Sequence, residues 1–366
     1  MGNNTSITEH KRHYYRELLC IGVPIIIGQL GTIILGFADT LMIGHHSTEE
    51  LAAAGLVNNI ITFILVSYMG FSYGLTPIIG KLYGMEKTDK IGQKVKNSFF
   101  ANMVVGVIFS LALIILYFNL HRIGQPEELL ALIRPYFIVN LISVLFVGVF
   151  NTLKQFLDGI GNTKVAMWVM IMGNIVNIFG NWVLIYGVGP CPEMGLLGAG
   201  ISTLASRVLM AVAMVGIIAG TKEYREYRNN IIASRINGAD FREMNRLGWP
   251  VALQLALESG AFTLSCVMVG WLGTIPLAAH QVMITISQLF YLVLSGMAAA
   301  LAIRVSHFVG QNDFAAVRRN AYDGWRLNLL FSLCMGIPVL LLRHQIGGWF
   351  NDNVEVQQYV ALLIIM

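Results

Sequence analysis

The segment LLCIGVPIIIGQLGTIILGFADTLMIG, residues 18–44, carries Asp39 as its only charged side chain. An α-helix needs about twenty predominantly apolar residues to cross the roughly 30 Å hydrocarbon core of a bilayer. This run is long enough, and it exceeds the apolar part of a signal peptide. We therefore predict a transmembrane helix that stays attached to the protein.

Similar apolar runs follow along the whole chain. They predict spans near Leu51 to Gly80, Phe99 to Asn119, Leu129 to Gln155, Val165 to Gly187, Leu196 to Gly220, Gly248 to Leu272, Leu277 to Leu301 and Leu327 to Leu342, with a tenth beginning after Val354. Of the 366 residues, 56% are hydrophobic and 12% are charged, about half the charged share of a soluble domain. The composition excludes a water-soluble fold and predicts an all-α polytopic membrane protein.

Lys and Arg are concentrated in alternate loops between these spans, for example between Lys81 and Lys96 and between Lys222 and Arg246. Loops with such an excess face the cytoplasm. We expect a multi-pass protein of the cell (inner) membrane with a cytoplasmic N-terminus. The net charge is only +4, without a basic cluster outside these loops, so the expected partner is the lipid bilayer and not nucleic acid.

The chain also contains an internal repeat. A shift of about 226 residues superimposes Glu17, Gly22, Pro24, Gly70 and Gly84 on Glu243, Gly248, Pro250, Gly296 and Gly310. Repeats separated by an even number of spans are typical of two-lobed transporters. We predict two pseudo-symmetric six-helix lobes: an N-terminal lobe (1–220), a cytoplasmic linker (221–246) and a C-terminal lobe (247–366). The second lobe is expected to be incomplete, with 9–10 of 12 helices present and roughly eighty residues to follow.

Charged side chains within spans mark functional candidates, since each costs roughly 2.5–3.5 kcal/mol on the insertion scale. Asp39 lies in the outer half of the first span, and Asn177 and Asn181, four residues apart on one helical face, reach a similar depth. Carboxylate and amide oxygens suit a hard cation, and a desolvated Asp can exchange a proton. We predict a cation site that takes Na⁺ or H⁺; the alternative for the Asn pair is interhelical hydrogen bonding.

Glu258 lies near the middle of the seventh predicted span and is a second candidate for binding cation or substrate. The alternative is a protonated Glu that bonds a neighbouring helix. Arg207 lies in the sixth span, where we expect a structural ion pair.

Four further polar residues in spans are assigned to a substrate cavity: Gln29, Gln254, His280 and Gln281. A lone His in a span is more often a packing residue than a ligand.

The sequence carries no support for an enzyme. Gly70-Phe71-Ser72-Tyr73-Gly74 matches G-x-S-x-G, but that motif requires a strand-to-helix turn and here lies in a predicted membrane helix. The glycine-rich segment from Asp158 to Lys164 lacks the order of a phosphate-binding loop and predicts a tight turn. The four cysteines are scattered without zinc-ligand spacing, so we expect neither a cofactor nor a catalytic residue.

The sequence resembles the multidrug and toxic compound extrusion (MATE) family, most closely its NorM-like branch. The resemblance covers essentially the whole chain. The segments that carry it include Pro24 to Asp39-Thr40 with Gly44, Phe156 to Lys164, Asn177 to Asn181-Trp182, Gly195 to Ile201 with Ser206-Arg207, Pro250 to Glu258, and Leu277 to Gln281.

This resemblance implies twelve helices in two lobes and the export of cationic amphiphilic compounds in exchange for Na⁺ or H⁺. It implies that Asp39 with Asn177 and Asn181 forms the cation site of the N-terminal lobe, and that Glu258 belongs to a C-terminal site. That second site would also draw an acidic residue from the tenth helix beyond Met366. Some relatives have Asp where this chain has Asn181, so the coupling ion stays open.

We therefore expect a monomeric antiporter that exports small organic cations as an entering Na⁺ or H⁺ neutralises Asp39 or Glu258. One alternative is a flippase for lipid-linked oligosaccharides, which would line its cavity with Arg and Lys. Another is a non-transporting membrane scaffold or receptor, which would need no buried acids.

Overall fold

The computed structural model describes residues 2–123, 126–350 and 353–365, and these form helices joined by short connections. Thirteen α-helices follow one another in the described ranges: α1 (Gly2–His46), α2 (Thr48–Tyr73), α3 (Leu75–Gly84), α4 (Thr88–Phe118), α5 (Glu127–Gly159), α6 (Thr163–Tyr186), α7 (Gly195–Gly220), α8 (Arg225–Ala233), α9 (Gly238–Gly270), α10 (Thr274–Gly310), α11 (Phe314–Leu341), α12 (Arg343–Phe350) and α13 (Val354–Leu363). Two short 3₁₀-helices, Leu120–Ile123 and Lys222–Tyr224, precede α5 and α8. The predicted all-α class is confirmed.

The predicted number of complete spans is also confirmed. Nine helical segments among the described residues are long and apolar enough to cross a membrane, with α2 and α3 together forming the second. Several helices extend beyond the apolar run that predicted them; α9, for example, begins ten residues before Gly248. An apolar run marks only the part of a helix that suits hydrocarbon, whereas Glu, Arg, Met and Leu propagate the helix beyond it.

The predicted tight turn between Asp158 and Lys164 is shorter than expected. Gly161 adopts a left-handed backbone conformation with φ +84°, which favours glycine, and α6 begins two residues later. Asp158 itself still belongs to α5, where its Oδ2 lies 2.6 Å from Lys154 Nζ. The polar character of Asp158 therefore reflects an ion pair within the helix and not a loop.

The larger of two compact units comprises Ile27–Ala256 and Ser306–Asn312. Its core packs apolar side chains of α2 to α7 around the almost fully buried rings of Tyr68, Phe71, Phe137 and Phe156. The Tyr68 hydroxyl donates to the Asn102 carbonyl oxygen at 2.8 Å. The ring reaches this position because Gly148 leaves it room: a methyl group there would collide with the Tyr68 hydroxyl.

The smaller unit comprises the residues up to Ile26, Leu257–Val305 and the residues from Asp313 onward. Its buried apolar side chains form two small clusters, one around Leu18, Met297 and Ala300 and one around Ala279, Val282, Val356 and Val360. Within this unit Arg304 forms an ion pair with Glu17. The assignment of lobes to residues 1–220 and 247–366 stays a prediction.

Equivalent contacts occur in both units at the predicted offset of about 226 residues. In the smaller unit, a methyl group on Gly22 would collide with Met297, and one on Gly296 would collide with Ile26.

In the larger unit, the equivalent Gly248 and Gly70 lie in the same way against Phe71 and Ala252. The turns after α3 and α10 also match, because Glu86 and Asn312 both have left-handed conformations, with φ 57° and 58°. The structure thus confirms the internal repeat.

Candidate cation site

The predicted site lies in the larger unit and is built by five helices. α1 carries Asp39, α6 carries Asn177 and Asn181 one turn apart, and α7 carries hydroxyl side chains that face them. α2 and α5 contribute further polar side chains nearby. The structure brings the three predicted residues together.

Asp39 and Asn181 are directly hydrogen-bonded. Asn181 Nδ2 donates to Asp39 Oδ1 at 2.5 Å and also to Asn177 Oδ1 at 3.2 Å. Both Asn side chains are fully buried, with 0% of their surface exposed. Asn181 Oδ1 is buried and has no hydrogen-bond partner among the described residues. A buried amide oxygen beside a carboxylate is a ready ligand for a cation.

Asn177 connects the carboxylate to α7. Its Nδ2 donates to Thr203 Oγ1 at 3.1 Å and to Ser206 Oγ at 3.4 Å. Rotating this amide by 180° places its Nδ2 3.0 Å from Asp39 Oδ1 and its Oδ1 3.1 Å from Thr203 Oγ1. The amide can therefore present an oxygen or an N–H group toward Asp39, and the rotated orientation, with the N–H group toward Asp39, suits its neighbours better.

The backbone around this amide is also held by a side chain. Ser202 Oγ donates to the Asn177 carbonyl oxygen at 2.8 Å, which fixes α7 against α6. Such interhelical hydrogen bonds are typical of membrane bundles. The predicted alternative for the Asn pair, hydrogen bonding between helices, is thus present together with the contact to Asp39.

Arg207 does not form the direct ion pair that the sequence predicted. Its Nη1 donates to Ser143 Oγ at 2.5 Å, and no carboxylate of the described residues lies within ion-pair distance. The guanidinium is close enough to Asp39 and Tyr136 for a longer-range electrostatic interaction. The guanidinium therefore has one hydroxyl acceptor and the longer-range attraction of Asp39 in place of a direct ion pair.

The α5 face beside Arg207 is itself polar. Ser143 Oγ donates to the Asn140 carbonyl oxygen at 2.5 Å, and the Tyr136 hydroxyl donates to Asn58 Oδ1 at 2.9 Å. Tyr136, Asn140 and Ser143 follow one another at helical spacing. This polar face is adjacent to the Asp39 network and completes its surroundings.

Sequence reasoning missed these hydroxyl and amide groups. The signal was present as polar residues spaced three and four apart in otherwise apolar spans: Tyr136, Asn140 and Ser143 on α5, and Ser202, Thr203 and Ser206 on α7. Uncharged polar residues are common in spans, so only a partner on another helix distinguishes them.

The other predicted residues lie elsewhere. Glu258, in the smaller unit, is half-buried on α9 and has no hydrogen-bond partner among the described residues. His280 Nε2, in the same unit, lies 3.4 Å from Oγ of Ser265, the repeat equivalent of Asp39. Gln254 and Gln281 are exposed and Gln29 is half-buried. None of these assignments to a substrate cavity is tested by the geometry.

Ser72 of the rejected G-x-S-x-G match lies within α2 and is only 1% exposed. Its Oγ donates to Asn102 Oδ1 at 2.7 Å. This contact is interhelical packing, as expected for a hydroxyl in a span.

Comparison with known proteins gives a family match over most of the chain. The family model described as MatE matches residues 24–183 and 250–366. Three similar solved structures are a MOP superfamily transporter from Pyrococcus furiosus Vc1, the eukaryotic MATE transporter AtDTX14, and a multidrug resistance MATE family transporter in an outward-facing conformation.

The similarity to these structures lies in the fold. The identities are 19%, 18% and 19%, with TM-scores of 0.81, 0.83 and 0.84. The alignments cover 96%, 97% and 96% of this chain and 78% of each of the other chains.

Proposed function

Because the chain belongs to the MatE family, it is a multi-pass membrane transporter, and we propose that it works as a secondary active antiporter. It exports small cationic amphiphilic compounds in exchange for Na⁺ or H⁺. In this proposal the N-terminus is cytoplasmic, the protein lies in the cell (inner) membrane, and it acts as a monomer. Glu258 contributes a second cation-binding carboxylate.

One observation carries the proposal: Asp39 is hydrogen-bonded to the fully buried Asn181 inside a helical bundle. A carboxylate in a span is costly, and a bundle stabilised by packing alone has no need of one. The adjacent Asn177, Thr203 and Asn181 oxygens supply the neutral ligands that a hard cation prefers.

The coupling step follows from these contacts. In the structure, an Asn181 N–H group occupies Asp39 Oδ1. An entering cation competes with this N–H group for the carboxylate, and rotation of either amide would direct an oxygen to Na⁺. A proton would instead neutralise Asp39 directly. Either ion removes the negative charge that attracts an organic cation, so differential affinity links ion entry to drug release.

The charges inside the spans favour cationic over anionic substrates. Asp39 and Glu258 both lie in membrane-spanning helices, whereas Arg207 is engaged by Ser143. A flippase for pyrophosphate-linked sugars would need Arg and Lys free to bind phosphate. The acidic pair therefore supports export of cations.

The test measures ethidium efflux from cells that express the full-length gene as wild type, Asp39→Asn or Glu258→Gln. Efflux is driven in turn by an imposed Na⁺ gradient and an imposed pH gradient. We expect both variants to lose gradient-driven efflux. The gradient that drives efflux by the wild type, Na⁺ or pH, identifies the coupling ion. Asp89→Asn, an exposed acid at the start of α4, serves as the matched control. Wild-type efflux by Asp39→Asn would contradict the proposal.

A further inference from the structure

His46, the last residue of α1, lies between two carboxylates. Its Nδ1 is 2.8 Å from Glu50 Oε2, and its Nε2 is 2.9 Å from Glu193 Oε1. Glu50 belongs to the first turn of α2, and Glu193 to the connection between α6 and α7. One imidazole ring thus joins three parts of the larger unit on the side predicted to face outward.

The two contacts together require a protonated ring. A neutral imidazole has one N–H donor and one acceptor nitrogen, and an ionised carboxylate can only accept. Both ring nitrogens of His46 face carboxylate oxygens, so only the imidazolium satisfies both. Histidine is also the side chain whose ordinary pKa, about 6.5, lies within the physiological pH range.

The glutamates differ in how firmly they are held. Glu50 is fixed by its helix start, because Ser47 Oγ accepts from the Glu49 and Glu50 backbone N–H groups. Its carboxylate lies against Gly195, the first residue of α7, where a side chain would collide with it. The Glu50 side chain is 13% exposed and that of Glu193 is 67% exposed. When His46 loses one proton, its contact with Glu193 should therefore break before its contact with Glu50.

The other titratable groups around His46 are few. From α6, Tyr186 lies edge-on at a ring-centroid distance of 6.2 Å, and its hydroxyl donates to the Met42 carbonyl oxygen at 2.9 Å. On α1, His45 Nδ1 contacts the carbonyl oxygen of Leu41 in its own helix at 2.7 Å. Glu49 on α2 is exposed, and its backbone N–H group donates to Ser47 Oγ. Glu50 and Glu193 are therefore the charges that set the state of His46.

We propose that His46, Glu50 and Glu193 form a proton-sensitive clamp, the His46 clamp, that positions Asp39 by holding the outer end of α1. Asp39 lies about two helical turns before His46, roughly 10 Å along the axis. It bonds α6 through Asn181, and the clamp ties the same helix to the chain just after α6. Deprotonation of His46 breaks its contact with Glu193 and lets the end of α1 move away from α6. The positioning role rests on the proposed transport function; the clamp itself does not.

The first experiment needs no transport. Cys191 lies two residues before Glu193 and is a half-exposed free thiol. With the other cysteines replaced by Ala, its labelling rate by a membrane-impermeant maleimide reports the mobility of this connection. Each variant is compared with wild type at the same pH, so that titration of the thiol itself cancels.

His46→Phe keeps the ring and removes both nitrogens. Below about pH 6, where wild-type His46 is charged, we expect His46→Phe to label roughly fivefold faster than wild type. This factor corresponds to the stabilisation that one partly exposed ion pair provides. The ratio should fall to one as the pH rises and the wild-type clamp opens. His46→Arg, permanently charged, should stay slow at every pH. His45→Phe, the adjacent control, should match wild type throughout.

Equal labelling of His46→Phe and wild type at acidic pH would overturn the clamp, as would the same acceleration in His45→Phe. Ethidium efflux as a function of external pH then tests the positioning role. We expect His46→Arg to flatten the dependence of efflux on external pH. We expect His46→Phe to raise the concentration of the coupling ion, Na⁺ or H⁺, that is needed for half-maximal efflux. Altered labelling with unchanged efflux would overturn the positioning role alone. Absence of efflux in every form, wild type included, would contradict the proposed function and leave the clamp standing.

Discussion

Gly84 at the end of α3 and Gly310 at the end of α10 are repeat equivalents whose backbones touch in the larger unit. A Cβ atom on Gly310 would lie 2.9 Å from Gly84 Cα. The contact is also reciprocal, because a methyl group on Gly84 would collide with the His307 carbonyl oxygen and one on Gly310 with that of Lys81. Lys81 and His307 are themselves repeat equivalents. The two helix ends therefore meet as the two halves of a self-complementary interface do.

This contact predicts that neither glycine tolerates a side chain. We expect Gly84→Ala and Gly310→Ala each to destabilise the protein by about 1–3 kcal/mol, since the obstacle is backbone and cannot rotate away. Thermal unfolding in detergent measures the loss. Gly216→Ala on α7 is the control, because a methyl group there meets nothing within 4 Å. Unchanged melting of Gly310→Ala would show that the two helix ends are not in close contact.

The fold was largely predictable because its main constraints act on composition and length. Hydrocarbon thickness sets the number of apolar residues per span, and the repeat preserves glycines such as Gly22 and Gly248 at close contacts. Helix ends were less predictable. Asp158 belongs to α5 because Lys154, one turn earlier, neutralises it. A count of apolar residues does not detect such an i, i+4 ion pair, so it places the end of the helix too early.

The bond between Asn181 and Asp39 predicts a loss of coupling when the amide is removed. We expect Asn181→Leu, which has a similar volume, to lower gradient-driven ethidium efflux at least tenfold. The partly buried carboxylate would lose a hydrogen bond worth about 1.5–3 kcal/mol, and the site would lose an oxygen ligand. Asn174→Leu on the same helix is the control, since its Nδ2 has no hydrogen-bond partner among the described residues. Equal efflux by the two variants would remove Asn181 from the site.

The centre of the site was predictable, and its surroundings were not. Asp39 was detectable because a charge in a span is rare, and Asn177 with Asn181 because their spacing places them on one face at a matching depth. Thr203 and Ser143 also follow helical spacing, but this spacing did not distinguish them, because a hydroxyl in a span can bond its own helix backbone. Their role depends on which helices are neighbours, and one chain read alone does not reveal this.

Lys94 fixes the first turns of α9, and its loss should loosen these turns and the polar segment that precedes them. Its Nζ donates to Asp240 Oδ1 at 2.6 Å and also to Glu243. We expect Lys94→Ala to accelerate tryptic cleavage after Arg228 and Arg235 several-fold, measured by mass spectrometry. High salt should reduce the difference, because part of this ion-pair network is exposed. Lys90→Ala, an exposed neighbour, is the control; equal acceleration there would contradict the prediction.

The bond from Arg207 to Ser143 predicts an asymmetry between two serine substitutions. Ser143→Ala removes the hydroxyl that accepts from Arg207 Nη1, leaving a buried charged donor without that partner. A lost hydrogen bond to a charged group costs about 1.5–3 kcal/mol, so the melting temperature of Ser143→Ala in detergent should be clearly lower than that of wild type. Ser110→Ala, by contrast, removes a buried hydroxyl without a partner among the described residues and should be neutral or slightly stabilising. Because both changes delete the same atom from a buried serine, equal melting temperatures would mean that Arg207 is satisfied without Ser143.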